Sequence, residues 1–215
     1  MGDRETIDRI IRNRRSSRAF LPQPVPKQVI KELLEVARWA PSASNAQPWR
    51  VTVATGSVAE ELRRRLGEAA EGQRMAPDQA AAYRQRIARG PMAFLLDHIQ
   101  EPIDYFLPIR SMTFFDAPVA LVLSFPGGEH APAPAGVHAF ATTLLLAAEA
   151  RGVGAVWLRW PMGQREIIRE VLAIPEDEQP SDFIALGYPD DSAPANQGRS
   201  PREEVSSFTR WLGWE

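Results

Sequence analysis

The sequence contains no cysteine. That absence excludes disulfide bridges, thiolate metal centres and a cysteine nucleophile together. Histidine is scarce: His98, His130 and His138 stand at no metal-ligand spacing, so no metal site is expected. Long apolar runs are missing as well. The longest, 117–125 and 144–148, fall far short of a bilayer span, and no membrane association is expected. Residues 1–13 are charged and lack the apolar core of a secretory leader, which together with the missing cysteine fits a cytoplasmic protein.

A strong excess of one charge is also lacking. The formal net charge is −2, which argues against a dedicated nucleic-acid binder. Three phosphate and hydrolase signatures are absent. Gly152-Val153-Gly154 has no third glycine and follows a helical pattern, so it is not a dinucleotide fingerprint. There is no P-loop, so a bound phosphate would depend on side chains. Ser16, Ser42 and Ser44 sit in no nucleophile elbow, which excludes the usual serine hydrolase.

What remains is a chain of 215 residues, 44% hydrophobic and 24% charged, long enough to bury a full core as one domain spanning residues 1–215. Residues 6–13 read as a short helix, and 27–39 as an amphipathic one with Ile30, Leu33, Leu34 and Ala37 at helical spacing. The pattern stops at Ala40-Pro41, because a residue before proline is pushed out of the helical region. Residues 49–55 alternate like a strand; 58–70 and 77–89 read as arginine-rich, exposed helices. Residues 118–125 form a continuous apolar run, the mark of a strand buried on both faces. A helix over 137–151 is expected to close at Gly152, followed by a strand over 155–160, a helix over 164–173 and a strand over 182–188. Interleaved helices and strands point to one mixed sheet flanked by helices.

Three constellations carry chemistry. The cluster Arg12-Asn13-Arg14-Arg15-Ser16-Ser17-Arg18 suits a phosphate dianion, because guanidiniums pair phosphate oxygens bidentately; by spacing alone it reads equally as a solvated basic surface. The loop from Pro41 to Trp49 has small residues that let a ligand approach the backbone, and Asn45 and Gln47 offer donors and acceptors. A flat heteroaromatic suits it, and so does the plain role of helix-to-strand connector. The tail motif running from Asn196 through Arg199 to Arg202 is basic and turn-like, either a second anion contact or an exposed linker.

In order along the chain, Arg14-Arg15-Ser16-Ser17-Arg18, then Pro41-Ser42-Ala43-Ser44-Asn45-Ala46-Gln47-Pro48-Trp49, then Gly187-Tyr188-Pro189 before a basic tail resemble the nitroreductase family. The resemblance runs from residue 7 to about residue 205. Phe114-Phe115-Asp116-Ala117-Pro118-Val119 is similar to the subgroup acting on nitrobenzoate-type aromatics.

The resemblance implies an α+β fold with a central, mostly antiparallel mixed sheet flanked by helices, in an interlocked homodimer. It implies FMN at the subunit interface, and ping-pong hydride transfer from NAD(P)H through flavin N5 to a nitroaromatic, quinone or similar flat acceptor. Same-fold flavoenzymes with other chemistry (reductive dehalogenation, flavin breakdown) and FMN binding with little turnover stand as alternatives. By motif position, Arg14, Arg15, Ser16 and Arg18 would hold the FMN phosphate and pyrimidine edge, with Arg18 stabilising the reduced anion. Pro41, Ser42, Ala43 and Asn45 would reach the flavin from the partner subunit. Leu158, Arg159 and Trp160 would lie on the N5 side, where relatives often carry glycine. In the tail many relatives have a lysine and an arginine two residues apart; here these places are Gln197 and Arg199, which makes both Arg199 and Arg202 candidates for the phosphate. No catalytic acid or base is implied. Residues 90–117, irregular and aromatic-rich, are expected to cover the substrate, and 190–215, carrying Phe208, Trp211 and Trp214, to wrap the partner.

Overall fold

The computed structural model describes residues 2–128 and 134–214; His130 lies outside them. Helices α1 (Asp3–Asn13) and α2 (Lys27–Ala37) precede strand β1 (Arg50–Thr55). Helices α3 (Gly56–Glu71) and α4 (Pro77–Ala88) and the single turn α5 (Ile103–Tyr105) lead to β2 (Val119–Pro126). Then come α6 (Ala135–Glu149), β3 (Gly154–Leu158), α7 (Arg165–Leu172), β4 (Glu178–Gly187) and, in the tail, α8 (Val205–Phe208).

The strands form a sheet in the order β1-β2-β4-β3, with every neighbouring pair antiparallel. The mixed character comes from one parallel bridge, Ser16 to Ala155, which brings the basic segment alongside β3. The apolar run of β2 is buried on both faces, as its composition predicts. Ala120 and Val122 enter one core with Leu62, Leu66, Phe106, Phe114 and Ile168; Val119, Leu121 and Leu123 enter the other with Leu33, Ala37, Leu144 and Ala148. Successive strand residues point to opposite faces, so a strand covered on both sides has no polar positions to spare.

Several elements differ from the sequence reading. Helix α3 is not an exposed helix: Leu62 and Leu66 are fully buried, on a stripe that the neighbouring Arg63, Arg64 and Arg65 obscure in the sequence. Strand β3 ends at Leu158 and a 3-10 turn, Trp160–Gln164, begins, because Pro161 has no N–H to continue a ladder. Helix α6, by contrast, closes at Gly152 as its pattern predicts: at φ +66° its amide donates to the Glu149 carbonyl at 3.2 Å and the Val153 amide to the Ala148 carbonyl at 3.0 Å.

The aromatic residues of 90–117 turn inward. Phe106, Phe114 and Phe115 are buried in the core, leaving Pro91, Met92 and Phe94 to line a surface cleft. The segment ends in a left-handed turn of three consecutive residues, Phe114, Phe115 and Asp116, at φ 43°, 54° and 56°. Such backbone costs roughly 1–2 kcal/mol per residue. Arginine contacts offset the cost: Arg63 donates to the Ala117 carbonyl at 2.7 Å and stacks 4.5 Å over the Phe114 ring, while Arg110 donates to Asp116 at 2.5 Å.

Candidate functional site

The bridge between Ser16 and Ala155 organises the site. The Ser17 amide donates to the Ala155 carbonyl at 3.0 Å, and Ser17 is itself buried. The approach is possible because residue 154 is glycine: a Cβ there would stand 2.7 Å from Ser17 Oγ and 3.0 Å from Ser17 Cβ. The glycine pair that fails as a dinucleotide fingerprint thus seats the basic segment on the sheet.

The far end of the chain closes over that segment. The Arg18 amide donates to Asn196 Oδ1 at 2.7 Å; Asn196 Nδ2 donates to the carbonyls of Ala19 at 2.8 Å and Asp190 at 2.9 Å. Asn196 is completely buried and every one of these bonds ties the tail to the N-terminal segment or to the turn after β4. It sits in the tail motif, yet its clasping role is invisible in sequence, since its partners are backbone groups almost a chain length away. Arg15 is held by Asp191 in an ion pair.

Between these two ends lies a cleft of about 500 Å³, lined by Arg14, Arg15, Ser16, Arg18, Arg199 and Arg202, with Met92 and Phe94 on its wall. Among the described residues no carboxylate lines it. Arg199 donates to the Asn13 carbonyl at 2.9 Å, satisfying the C-terminal end of α1, while Arg202 donates to Ser200 Oγ at 2.7 Å. Burial and then the charge of Arg14 push the Arg18 pKa down to about 10. Arg14 is shifted down too, by burial first and then by Arg202, with Glu149 opposing and Arg199 adding least. Guanidiniums stay charged at neutral pH, so their downward shifts express burial first and mutual repulsion second, and an anion in the cleft would offset both. A phosphate dianion fits that donor set.

Leu158, Arg159 and Trp160 do not line this cleft. They lie beyond the Ser16 bridge along β3, about 10 Å on at strand rise, and line a second, larger cleft of about 950 Å³. Pro41, Ser42, Ala43 and Asn45 stand apart from both. Their loop takes left-handed backbone at Ser44, Asn45 and Gln47, and the Gln47 amide donates to Ser42 Oγ at 3.0 Å. Asn45 borders a small hollow of about 340 Å³ beside Trp39, and Ser42 packs against Gly136 at the start of α6, where a Cβ would stand 3.1 Å away. One chain therefore unites the two basic motifs and leaves the small-residue loop on a different surface.

The second cleft contains residues the sequence reading passed over. Asp182, 4% exposed, accepts the Trp157 indole N–H at 2.9 Å and the Ser181 hydroxyl at 2.6 Å, and His138 Nε2 lies 3.6 Å from it. The apparent end of an apolar strand conceals this carboxylate: it precedes Phe183, Ile184 and Ala185 and reads as a boundary residue. Among the described residues no cluster of side chains suits a metal ion, and no helix is long and apolar enough to cross a membrane.

Comparison with known proteins identifies the family. The model of the nitroreductase family matches residues 11–188. The 4-nitrobenzoate reductase of Pseudomonas putida is 30% identical over 98% of this chain and 97% of its own. The nitrobenzene nitroreductase of Ectopseudomonas oleovorans is 33% identical over 96% of each. Among solved structures, the FMN-dependent nitroreductase NfnB from Mycobacterium smegmatis in complex with NADPH superposes with a TM-score of 0.82 at 26% identity, covering 97% of this chain and 99% of that one. With a matching family model from α1 to the end of β4 and relatives alike over nearly their full length, this chain is a member of the nitroreductase family.

Proposed function

We propose that this chain is an FMN-dependent NAD(P)H oxidoreductase that reduces nitroaromatic acceptors as a homodimer. The observation that carries the reading is the carboxylate-free cleft in which Arg14, Arg18, Arg199 and Arg202 converge and repel one another. Its relatives' names supply the chemistry: nitrobenzoate and nitrobenzene reductases, and an FMN-dependent enzyme solved with NADPH.

In this reading Arg14 and Arg202 grip the FMN phosphate, Arg202 being the tail arginine whose charge Arg14 feels more strongly. Ser16 and Arg18 hold the pyrimidine edge, Arg18 placing positive charge where the reduced ring becomes anionic. Arg15, paired with Asp191, fixes the segment's position more than it binds phosphate. Leu158, Arg159 and Trp160 border the N5 side. Bound FMN supplies two-electron transfer between NAD(P)H and acceptor, taken in turn at one face; the protein contributes position and charge. The partner subunit's Pro41, Ser42, Ala43 and Asn45 complete the pocket. Residues 90–117 wall it through Met92 and Phe94.

Exposed aromatics support the assembly. Trp39 is 80% exposed, and Phe208, Trp211, Leu212 and Trp214 lie open along the tail. An apolar surface of that extent is stable when covered by a second copy. The test is an absorbance spectrum and a solution mass of the purified protein, followed by NADPH oxidation with nitrobenzene. A yellow dimer that releases FMN on denaturation and turns over is expected; a colourless protein that cannot be reconstituted with FMN overturns the proposal.

A further inference from the structure

The second cleft has a charge pattern that the flavin reading leaves unused. Trp157 and Trp160 are partly exposed in it, and Arg159 and Arg165 line it beside them. Neither arginine has an ion pair or side-chain hydrogen bond among the described residues. Most other cleft or core arginines are occupied: Arg15 with Asp191, Arg63 and Arg110 with Asp116, Arg65 with Glu170. Arg165 is moreover the first residue of α7, where the helix dipole disfavours a cation. Its placement therefore does nothing for the helix.

Asp182, the one carboxylate among the cleft's described lining residues, forms an ion pair with neither arginine. Asp182 is buried, and its oxygens are taken by Trp157 Nε1 and Ser181 Oγ. The first of those bonds fixes the Trp157 indole, with the His138 ring tilted against it at 5.8 Å. Two aromatic faces beside two free guanidiniums match a planar ring that carries an anionic group: the ring stacks, and the guanidiniums take a carboxylate bidentately.

We infer that Arg159 and Arg165 make this cleft selective for aromatic carboxylates over neutral aromatics of the same shape. The inference rests on the nitroreductase reading for the reaction, and on the cleft alone for the charge preference. The shared chemistry, an anion held by guanidinium, also describes the phosphates of NADPH, and the test separates the two sources.

The experiment compares 4-nitrobenzoate with 4-nitrobenzamide, a neutral isostere, as acceptors for the FMN-loaded protein and its Arg159→Gln and Arg165→Gln variants. Binding of the non-reducible pair benzoate and benzamide is measured in parallel by calorimetry. Both arginines are exposed, so their replacement leaves the core intact. Any effect of a variant on flavin loading divides out of the ratio of the two acceptors. The expected result is a preference for the carboxylate of about tenfold, in kcat/KM and in binding, that falls toward one in each variant. Equal use of both acceptors by the unaltered protein overturns the inference, as does a preference that survives both substitutions. A rise in the KM for NADPH with the acceptor ratio unchanged assigns the arginines to the dinucleotide and also overturns it. If neither acceptor is reduced, the nitroreductase reading fails, and the benzoate-against-benzamide affinities still decide the charge preference.

Discussion

Asp182 lies diagonally across adjacent antiparallel strands from Trp157, two places from its register partner Ile184, and the indole N–H of Trp157 reaches the Asp182 carboxylate at 2.9 Å. The bond holds a large ring at the mouth of a cleft by a group that is itself shut away from water. Replacing Asp182 with alanine strands the indole N–H and leaves the Ser181 hydroxyl only the Leu123 carbonyl, at 3.3 Å. Asp182→Ala is expected to lower stability by about 1–3 kcal/mol in urea unfolding and to shift the tryptophan emission, with Asp182→Asn milder because it keeps an acceptor.

The arginine cleft has opposite consequences with and without its anion. Arg14→Gln removes one member of a repelling group, so the cofactor-free chain gains stability while affinity for FMN falls by about 10–100-fold. Thermal unfolding with and without FMN, together with flavin titration, checks both signs. A loss of stability in the cofactor-free variant would mean that Arg14 is a structural ion-pair partner instead.

Arg18 gives the same effect a pH signature. Its folded pKa, about 10, lies below the ordinary 12.5, so between those values the unfolded chain holds more protons and stability rises with pH. Below about pH 10 the full repulsion persists. Cofactor-free Arg18→Gln is therefore expected to exceed the unaltered chain in urea midpoint at neutral pH, with the gap closing above pH 10. In the loaded protein, Arg18→Ala is expected to make the flavin harder to reduce; an unchanged potential removes Arg18 from that role.

Gly154 is a sharper structural test. Gly154→Ala brings a Cβ to within 3.0 Å of Pro189 and closer still to Ser17 Oγ, both on packed backbone segments. The expected cost is about 1–3 kcal/mol, with weaker FMN binding because the basic segment is lifted from β3. Wild-type stability and flavin affinity in this variant would disprove the seating role.

Asp116 bridges Arg63 and Arg110 at the end of the left-handed turn. Asp116→Ala is expected to destabilise by about 1–2 kcal/mol, toward the lower end because the carboxylate is largely solvent-facing. Urea unfolding of the variant against Arg110→Gln, and against the double variant, measures the coupling.

Much of this architecture is written in periodicity. The apolar run of β2 and the spacing of Ile30, Leu33 and Ala37 report their burial directly, because faces and stripes repeat at fixed intervals; the alternation in 49–55 marks a strand, but there Val53 is exposed and Ala54 buried. Leu62 and Leu66 are harder to read: the intervening arginines dilute the stripe, and Arg63 itself turns toward the core to stack on Phe114. The phosphate motif was legible as residue types and became a cleft only when the fold carried the tail back across the sheet. Asp182, Trp157 and Arg165 were not legible as a group, since the strand pairing that joins the first two is long-range and gives no mark at either position. The inward turn of Phe106, Phe114 and Phe115 likewise depends on the three left-handed residues, whose side chains carry none of the usual glycine signal.

The clasp of Asn196 on Arg18 spans 178 positions, and Arg199 reaches Asn13 across 186. A ribosome making this chain presents the first arginines early and the last ones nearly at the end of translation. The sheet and its two cores can assemble around a cleft that is still half built. In the proposed reading flavin capture waits on the tail, and a chain truncated before Asn196 is expected to lack half of the phosphate grip, so that cofactor loading reports that synthesis has run past that point.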